Sequence, residues 1–260
     1  MNQRSVKVSC VSYLNSTPFV HGLLQHDFAG KLDLSLDIPS VCANKLITGK
    51  ADIGLVPVAA ISDIPGAQRI SKWCIGADGP VKSVTLLSPV PLDQIETILL
   101  DYHSVTSVNL TKVLAKCFWK IKPVWINAKE GFEKNIVGTT AAVIIGDRSL
   151  EMQHLFPYVY DLAGEWKNYT GLPFVFACWV SNKEIAPDFL NEFDASLEYG
   201  VNHIDDVVTN LAAQPNFYAD SISYMKNNLK YAFTDEMKKG MELFLDYKNS
   251  IEDKIIIELR

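Results

Sequence analysis

The residues best suited to chemistry lie in one short run. Ser12, Tyr13, Asn15 and Ser16 place four hydrogen-bonding side chains between an apolar stretch, residues 6–11, and a helix start at Thr17-Pro18. Proline suits a first helical position because its missing N–H would be unpaired there anyway, and a hydroxyl before it serves as a cap. Polar side chains at the carboxyl end of a strand stand where open α/β sheets bind their ligands. The free N–H groups of the following helix favour an anion. An ordinary capped turn shares this pattern, but four adjacent polar side chains mark this one as a candidate site.

Two further turns repeat the arrangement. A strand at residues 98–100 leads through a polar loop at 101–106 into a helix from 107 to 118, on which Leu110, Val113, Leu114, Cys117 and Phe118 follow the 3.6-residue period. Ser104, Thr106 and Ser107 stand at its start, as caps, as a carboxylate cradle, or as both. Gly146-Asp147 closes a strand at residues 141–145, and Ser83 opens the one at 84–87.

The elements that must position these residues alternate between strand and helix, which predicts an α/β fold. Strands are expected at residues 32–38, 51–56 and 174–180, and a short helix from Pro39-Ser40 ending at Gly49. From Pro187 onward the pattern reads as helical, with a last helix capped by Thr234 and Met237, Met241, Phe244 and Leu245 inward. The apolar strands at 84–87 and 174–180 bracket a compact middle section. They predict two lobes joined by two crossovers, residues 1–86 and 179–260 forming one and 87–178 the other. A ligand cleft is expected between them.

Composition narrows the functions. With 260 residues, 48% of them hydrophobic, the chain can bury a large core, and no run approaches the about 20 apolar residues of a membrane span. The opening Met1-Asn2-Gln3-Arg4-Ser5 lacks the apolar segment of a signal peptide, so a cytoplasmic location is expected. A net charge of −6 and the lack of a basic stripe argue against nucleic acid, though not against a small anion held by local dipoles. The five cysteines are scattered, without a CxxC pair, and the five histidines lack HExxH spacing. GxSxG and GxGxxG loops are also missing. No metal and no cofactor are therefore expected.

These landmarks resemble chorismate dehydratase of the futalosine route to menaquinone. The resemblance is carried by Ser12-Tyr13-Leu14-Asn15 with Pro18-Phe19, by Pro39-Ser40, and by residues 49–57, 83–88 and 104–110. It continues through residues 144–150, Asp161-Leu162-Ala163-Gly164-Glu165-Trp166, residues 170–177 with Trp179, and a tail with Tyr218, Ile222 and Tyr224. It implies a type II periplasmic-binding-protein fold used as an enzyme. The implied reaction removes water from chorismate to give 3-[(1-carboxyvinyl)oxy]benzoate, with no cofactor because the ring becomes aromatic as hydroxide leaves.

That chemistry needs removal of a ring proton, stabilisation of the resulting charge, and departure of a hydroxyl. Asn15 is assigned to orienting the substrate and its leaving hydroxyl, the alternative being an Asx turn. Ser83 is either a second catalytic contact or a satisfied strand-end hydroxyl. Ser12, Tyr13, Ser104, Thr106, Ser107, Gly146 and Asp147 are expected to bind substrate, with Asp147 as a cap or support because a carboxylate beside a dianion is costly. Arg148 either aids anion binding or points to solvent. Tyr13, Trp166, Phe174 and Trp179 either wall the cleft or pack in the core. Of His21, His26, His103 and His154, only His103 lies in a site-facing loop, and none is a compelling base. This fits a mechanism suggested for the family, in which the substrate's own enolpyruvyl carboxylate takes the proton. Two rivals remain: a solute-binding receptor or sensor with the same fold, and the sister dihydroxynaphthoate-forming enzyme, which typically opens on a Ser-Pro-rich signature and uses a histidine base.

Overall fold

The computed structural model describes residues 5–212, 221–251 and 256–258, so Tyr218 lies outside the described residues. The chain begins with β1 (Val6–Val11), α1 (Thr17–Gln25), β2 (Leu32–Asp37), α2 (Pro39–Ile47), β3 (Ile53–Pro57) and β4 (Gln68–Ala77). It continues with β5 (Val84–Ser88), β6 (Thr97–Leu100), α3 (Val105–Leu114), β7 (Val124–Asn127), β8 (Thr140–Ile145) and α4 (Asp147–Met152). Then come β9 (Tyr158–Asp161), α5 (Leu162–Thr170), β10 (Phe174–Ser181), α6 (Pro187–Asn202), α7 (Ile204–Ala212) and the single turn α8 (Ser221–Ser223). The remainder is β11 (Lys230–Ala232), α9 (Asp235–Ser250) and β12 (Ile256–Glu258).

These elements form two mixed sheets, ordered β11-β4-β10-β3-β1-β2 and β12-β7-β6-β8-β5-β9. In the first, β1 runs parallel to β2 in the register Val6 to Leu32 and parallel to β3 in the register Val8 to Ile53. Their carboxyl ends therefore lie on one edge of the sheet. In the second, β6 runs parallel to β8, and β5 antiparallel to β8 with Val84 opposite Ile145. The ends of β6 and β8 and the start of β5 thus share an edge.

The chain divides into two compact units, Met1–Gly76 with Val175–Thr234, and Ala77–Phe174 with Asp235–Arg260. This corrects the boundaries read from sequence, 1–86 with 179–260 and 87–178. The strand β5 belongs wholly to the second sheet, and the last helix joins the second unit. Its Phe244 is fully buried against Trp166 and Phe174, ring centroids 6.2 and 5.0 Å away. Its Gly240 lies so close to Pro173 that a Cβ would stand 2.1 Å from that carbonyl oxygen.

The reading of residues 187 onward as all helical also fails. The strand β11 pairs antiparallel with β4. The ten-residue β4 itself escapes a hydrophobic scan because its outer residues are charged. Arg69 lies over the Phe233 ring at 4.1 Å and Lys72 pairs with Glu198 at 2.8 Å, while Trp73, Cys74 and Ile75 are buried. The five cysteines are free, and all but Cys117 are buried. Burial pushes the Cys42 and Cys178 thiols up to about 12.

Two glycines let α1 and α6 approach closely. A Cβ on Gly22 would stand 1.9 Å from the Ser196 carbonyl oxygen, and one on Gly200 1.8 Å from that of Pro18. Below the crossing, Trp179 meets Phe19 edge-on at 5.7 Å and Phe193 at 5.0 Å. Neither carbonyl can yield without moving its helix, so Gly200→Ala is expected to cost about 1–3 kcal/mol. A lower urea midpoint would register it, and an unchanged midpoint would mean that the helices separate freely.

Candidate active site

In the first unit the site residues cluster where β1 ends. The turn is a short 3-10 segment, Leu14–Ser16, followed directly by α1. The Ser16 hydroxyl donates to the Val11 and Tyr13 carbonyls at 2.5 and 2.8 Å, and the Thr17 hydroxyl donates to Leu14 O at 2.7 Å. Both hydroxyls therefore brace the turn from behind rather than cap the helix, contrary to the sequence expectation. The Ser12 N–H donates to Asp37 O at 2.9 Å, leaving its side chain exposed, and Tyr13 is half-buried. Asn15 differs from these neighbours. Its Oδ1 is buried and has no hydrogen-bond partner. Leaving a buried amide oxygen unpaired costs about 1–3 kcal/mol, so this atom stands open to a donor. The Asx-turn reading of Asn15, which would have used this oxygen locally, is not what the structure holds.

Beside this turn lies a charge network that sequence inspection missed. Asp37 Oδ2 accepts from Ser9 Oγ at 2.7 Å, Ser35 Oγ at 2.9 Å and Lys45 Nζ at 2.5 Å. Burial alone would raise the Asp37 carboxyl, but these hydrogen bonds and the Lys45 charge outweigh it and hold the group below the usual carboxylate value. Ser9 and Ser35 alternate with apolar residues on paired strands, which was the available signal.

The second unit brings Ser83, Ser104, Thr106, Ser107, Gly146 and Asp147 to one sheet edge. Ser83 is buried, and its carbonyl accepts from Gly146 N–H at 2.8 Å across the β5–β8 pair. Ser104, not Thr106 or Ser107, is the cap of α3: its Oγ accepts from Ser107 N at 3.0 Å and donates to Ser107 Oγ at 2.9 Å. The helix therefore starts two residues earlier than read, with Thr106 and Ser107 in its first turn, both 2% exposed. Gly146 adopts φ 67°, ψ −148° as the cap of α4, so Asp147 is its first helical residue rather than its cap. Glycine meets that backbone shape without strain. A carboxylate in a helix's first turn is favoured by the dipole.

Arg148 does not point free to solvent. Its guanidinium donates to the buried Asp101 Oδ2 at 2.6 Å and to Glu133 Oε1 at 2.7 Å. Asp101 was missed because it reads as one polar residue in a loop; its signal is an acid directly after a buried strand. Trp166, Phe174 and Trp179 are fully buried core residues, not ligand walls. Among the described residues, no three His, Cys, Asp or Glu side chains are grouped to hold a metal ion, and no helix is long and apolar enough to cross a membrane.

The fold is that of the periplasmic binding proteins. The structure superposes on a protein of Archaeoglobus fulgidus with TM-score 0.76 at 8% identity, covering 96% of this chain and 98% of the other. It superposes on a Candida albicans gene product described as having the generic periplasmic binding protein fold with TM-score 0.67 at 13% identity, covering 97% and 92%. Residues 6–250 match the menaquinone biosynthesis family, and the chain belongs to that family. It is also similar to the chorismate dehydratase of Thermus thermophilus, 22% identical over 254 residues that cover 90% of this chain and 92% of that protein.

His103 supplies a test of the second unit's electrostatics. Its burial, reinforced by the nearby Arg148 charge, lowers the imidazole below its ordinary value. The unfolded chain then binds this proton more readily than the folded one, so His103 costs stability as the pH falls from about 7 to 5. The urea midpoint of His103→Gln is expected to fall less than that of the parent over this range. Equal falls would contradict the depressed value.

Proposed function

We propose that this chain is a chorismate dehydratase, a carbon–oxygen lyase that eliminates water from chorismate to give 3-[(1-carboxyvinyl)oxy]benzoate. Family membership supports a role in menaquinone biosynthesis. The reading extends this to the futalosine route and to a cytoplasmic enzyme. The observation that carries the site assignment is the buried, unpartnered Oδ1 of Asn15 at the carboxyl end of β1. A substrate hydroxyl supplies the donor this atom lacks, and the amide N–H₂ supplies a donor to the departing oxygen. Ser12 and Tyr13 flank it on the same turn. In the second unit Thr106 and Ser107 offer hydroxyls and helix N–H groups to a carboxylate, with Ser83, Gly146 and Asp147 on the same sheet edge.

In the reaction the C–H bond at the ring carbon bearing the enol ether breaks, and its proton passes to the enolpyruvyl carboxylate. The freed electron pair completes the aromatic ring as the neighbouring C–O bond breaks and hydroxide leaves. The protein acts by positioning and preorganised hydrogen bonds rather than by a side-chain base. His103, whose imidazole is held below its ordinary value chiefly by burial, is the histidine of this loop and so the residue to test against this assignment.

Incubation with chorismate should yield the aromatic enol ether, seen by its ultraviolet absorbance and mass. Recovery of unchanged chorismate from the protein would favour a binding function instead. Asn15→Ala should fold at least as stably as the parent, since it removes a buried oxygen that has no partner, yet turn over ~100-fold more slowly or worse. Asn15→Asp should be as harmful, since it sets a negative charge against a dianion, while His103→Ala should keep most activity. An inactive His103→Ala beside an active Asn15→Ala would replace the substrate-assisted route with a histidine base. Separately, dialysis against a chelator should leave turnover unchanged, and a loss restored by a divalent ion would overturn the cofactor-free reading.

A further inference from the structure

Asp101 follows the last residue of β6, and its side chain is fully buried. Its two oxygens reach three segments. Oδ1 accepts from His103 N at 3.0 Å, in the loop that leads to Ser104 and α3. Oδ2 accepts from Ile145 N at 3.2 Å, the last residue of β8, and from Arg148 Nη2 at 2.6 Å, in the first turn of α4. Arg148 extends the tie to Glu133 at 2.7 Å, and its guanidinium lies over the Tyr102 and Phe132 rings at 5.9 and 5.8 Å.

A fully buried carboxylate must be matched by charge and donors or it destabilises its surroundings. Here the match comes from the backbone of two strand ends and from one arginine. The same strand ends carry the candidate binding residues: Ser104, Thr106 and Ser107 after β6, and Gly146 and Asp147 after β8. One buried charge pair therefore contributes to the spacing between those groups. β-Sheet pairing cannot set it alone, since β6 and β8 are paired only up to Leu99 and Ala142 in the ladder.

We propose that Asp101 and Arg148 are positioning residues for the reaction. They hold the hydroxyl-bearing first turn of α3 in register with the Gly146 turn, so that both present their donors to one carboxylate of the substrate. This rests on the function proposed above. Arg148 acts through Asp101 and the backbone, because two of its guanidinium nitrogens are engaged by protein carboxylates. Arginine suits the role better than lysine because its planar fork bridges two carboxylates at once.

The test compares Arg148→Met, Arg148→Lys and the parent in chorismate dehydration, with amide hydrogen exchange measured on each. Cooperative thermal unfolding well above the assay temperature establishes that a variant is folded. Folded Arg148→Met should lose about 10- to 100-fold in kcat/KM, as small displacements of binding groups do. Its amides at His103, Ser107 and Ile145 should exchange faster, while those of β7 and α5 keep their rates. Arg148→Lys should recover part of both losses. Where Arg148→Met does not fold, Glu133→Gln replaces it, with a smaller loss of the same pattern expected. Parental kcat and KM in a folded variant, or faster exchange spread evenly over the whole unit, would overturn the proposal. If the parent itself leaves chorismate unchanged, the dehydratase reading fails; the exchange pattern then decides on its own whether the pair holds the two turns together.

Discussion

The structure depends on how the turns at the strand ends satisfy their own backbone. A peptide group buried where a ladder stops has lost its strand partner and must find another. In this chain side chains provide it. Ser16 closes the turn after β1, Ser104 caps α3, and Asp101 takes the N–H groups of His103 and Ile145. Each of these polar residues has a structural task. Asn15 Oδ1 is the contrast, a buried acceptor that the fold does not use.

This division of labour is how a chain of net charge −6 accommodates the dianionic substrate proposed for it. The acids nearest the candidate residues are neutralised locally, Asp37 by Lys45 and two serines, and Asp101 by Arg148. The strand-end turns themselves are built mainly of hydroxyl, amide and helix N–H groups, which are compatible with a carboxylate. Local arrangement outweighs a weak overall charge because such interactions act over a few ångströms, well within the screening length of physiological salt.

Packing keeps these turns in place. The Gly22–Gly200 crossing seats α1, whose first turn follows Asn15, against α6 at backbone contact. In the other unit Trp166, Phe174 and Phe244 form an aromatic junction that draws α9 back onto residues far earlier in the chain. Close-packed interiors transmit small changes, so helices seated this way give their leading turns little freedom.

The sequence by itself determined most of the elements and the strand ends at which the candidate residues stand. Hydrophobic period, helix-starting prolines and strand-end polar residues are local features, and β1, α2, β5, β8 and β10 follow from them to within a residue or two. The candidate residues were legible for the same reason: Ser12, Tyr13, Asn15, Ser83 and Gly146 all stand at strand boundaries. Only the tertiary structure decided which polar side chains remain for a ligand. Ser16 and Thr17 resemble caps in sequence but bond backward, Ser104 takes the cap that Thr106 and Ser107 suggested, and Arg148 is held by a carboxylate 47 residues away. The helix α9 and the strand β4 were misplaced or missed because their partners, Trp166 with Phe174 and Phe233 with Glu198, are distant along the chain. A side chain's hydrogen-bonding capacity is written in its type, but whether that capacity is already consumed depends on partners that only folding brings near.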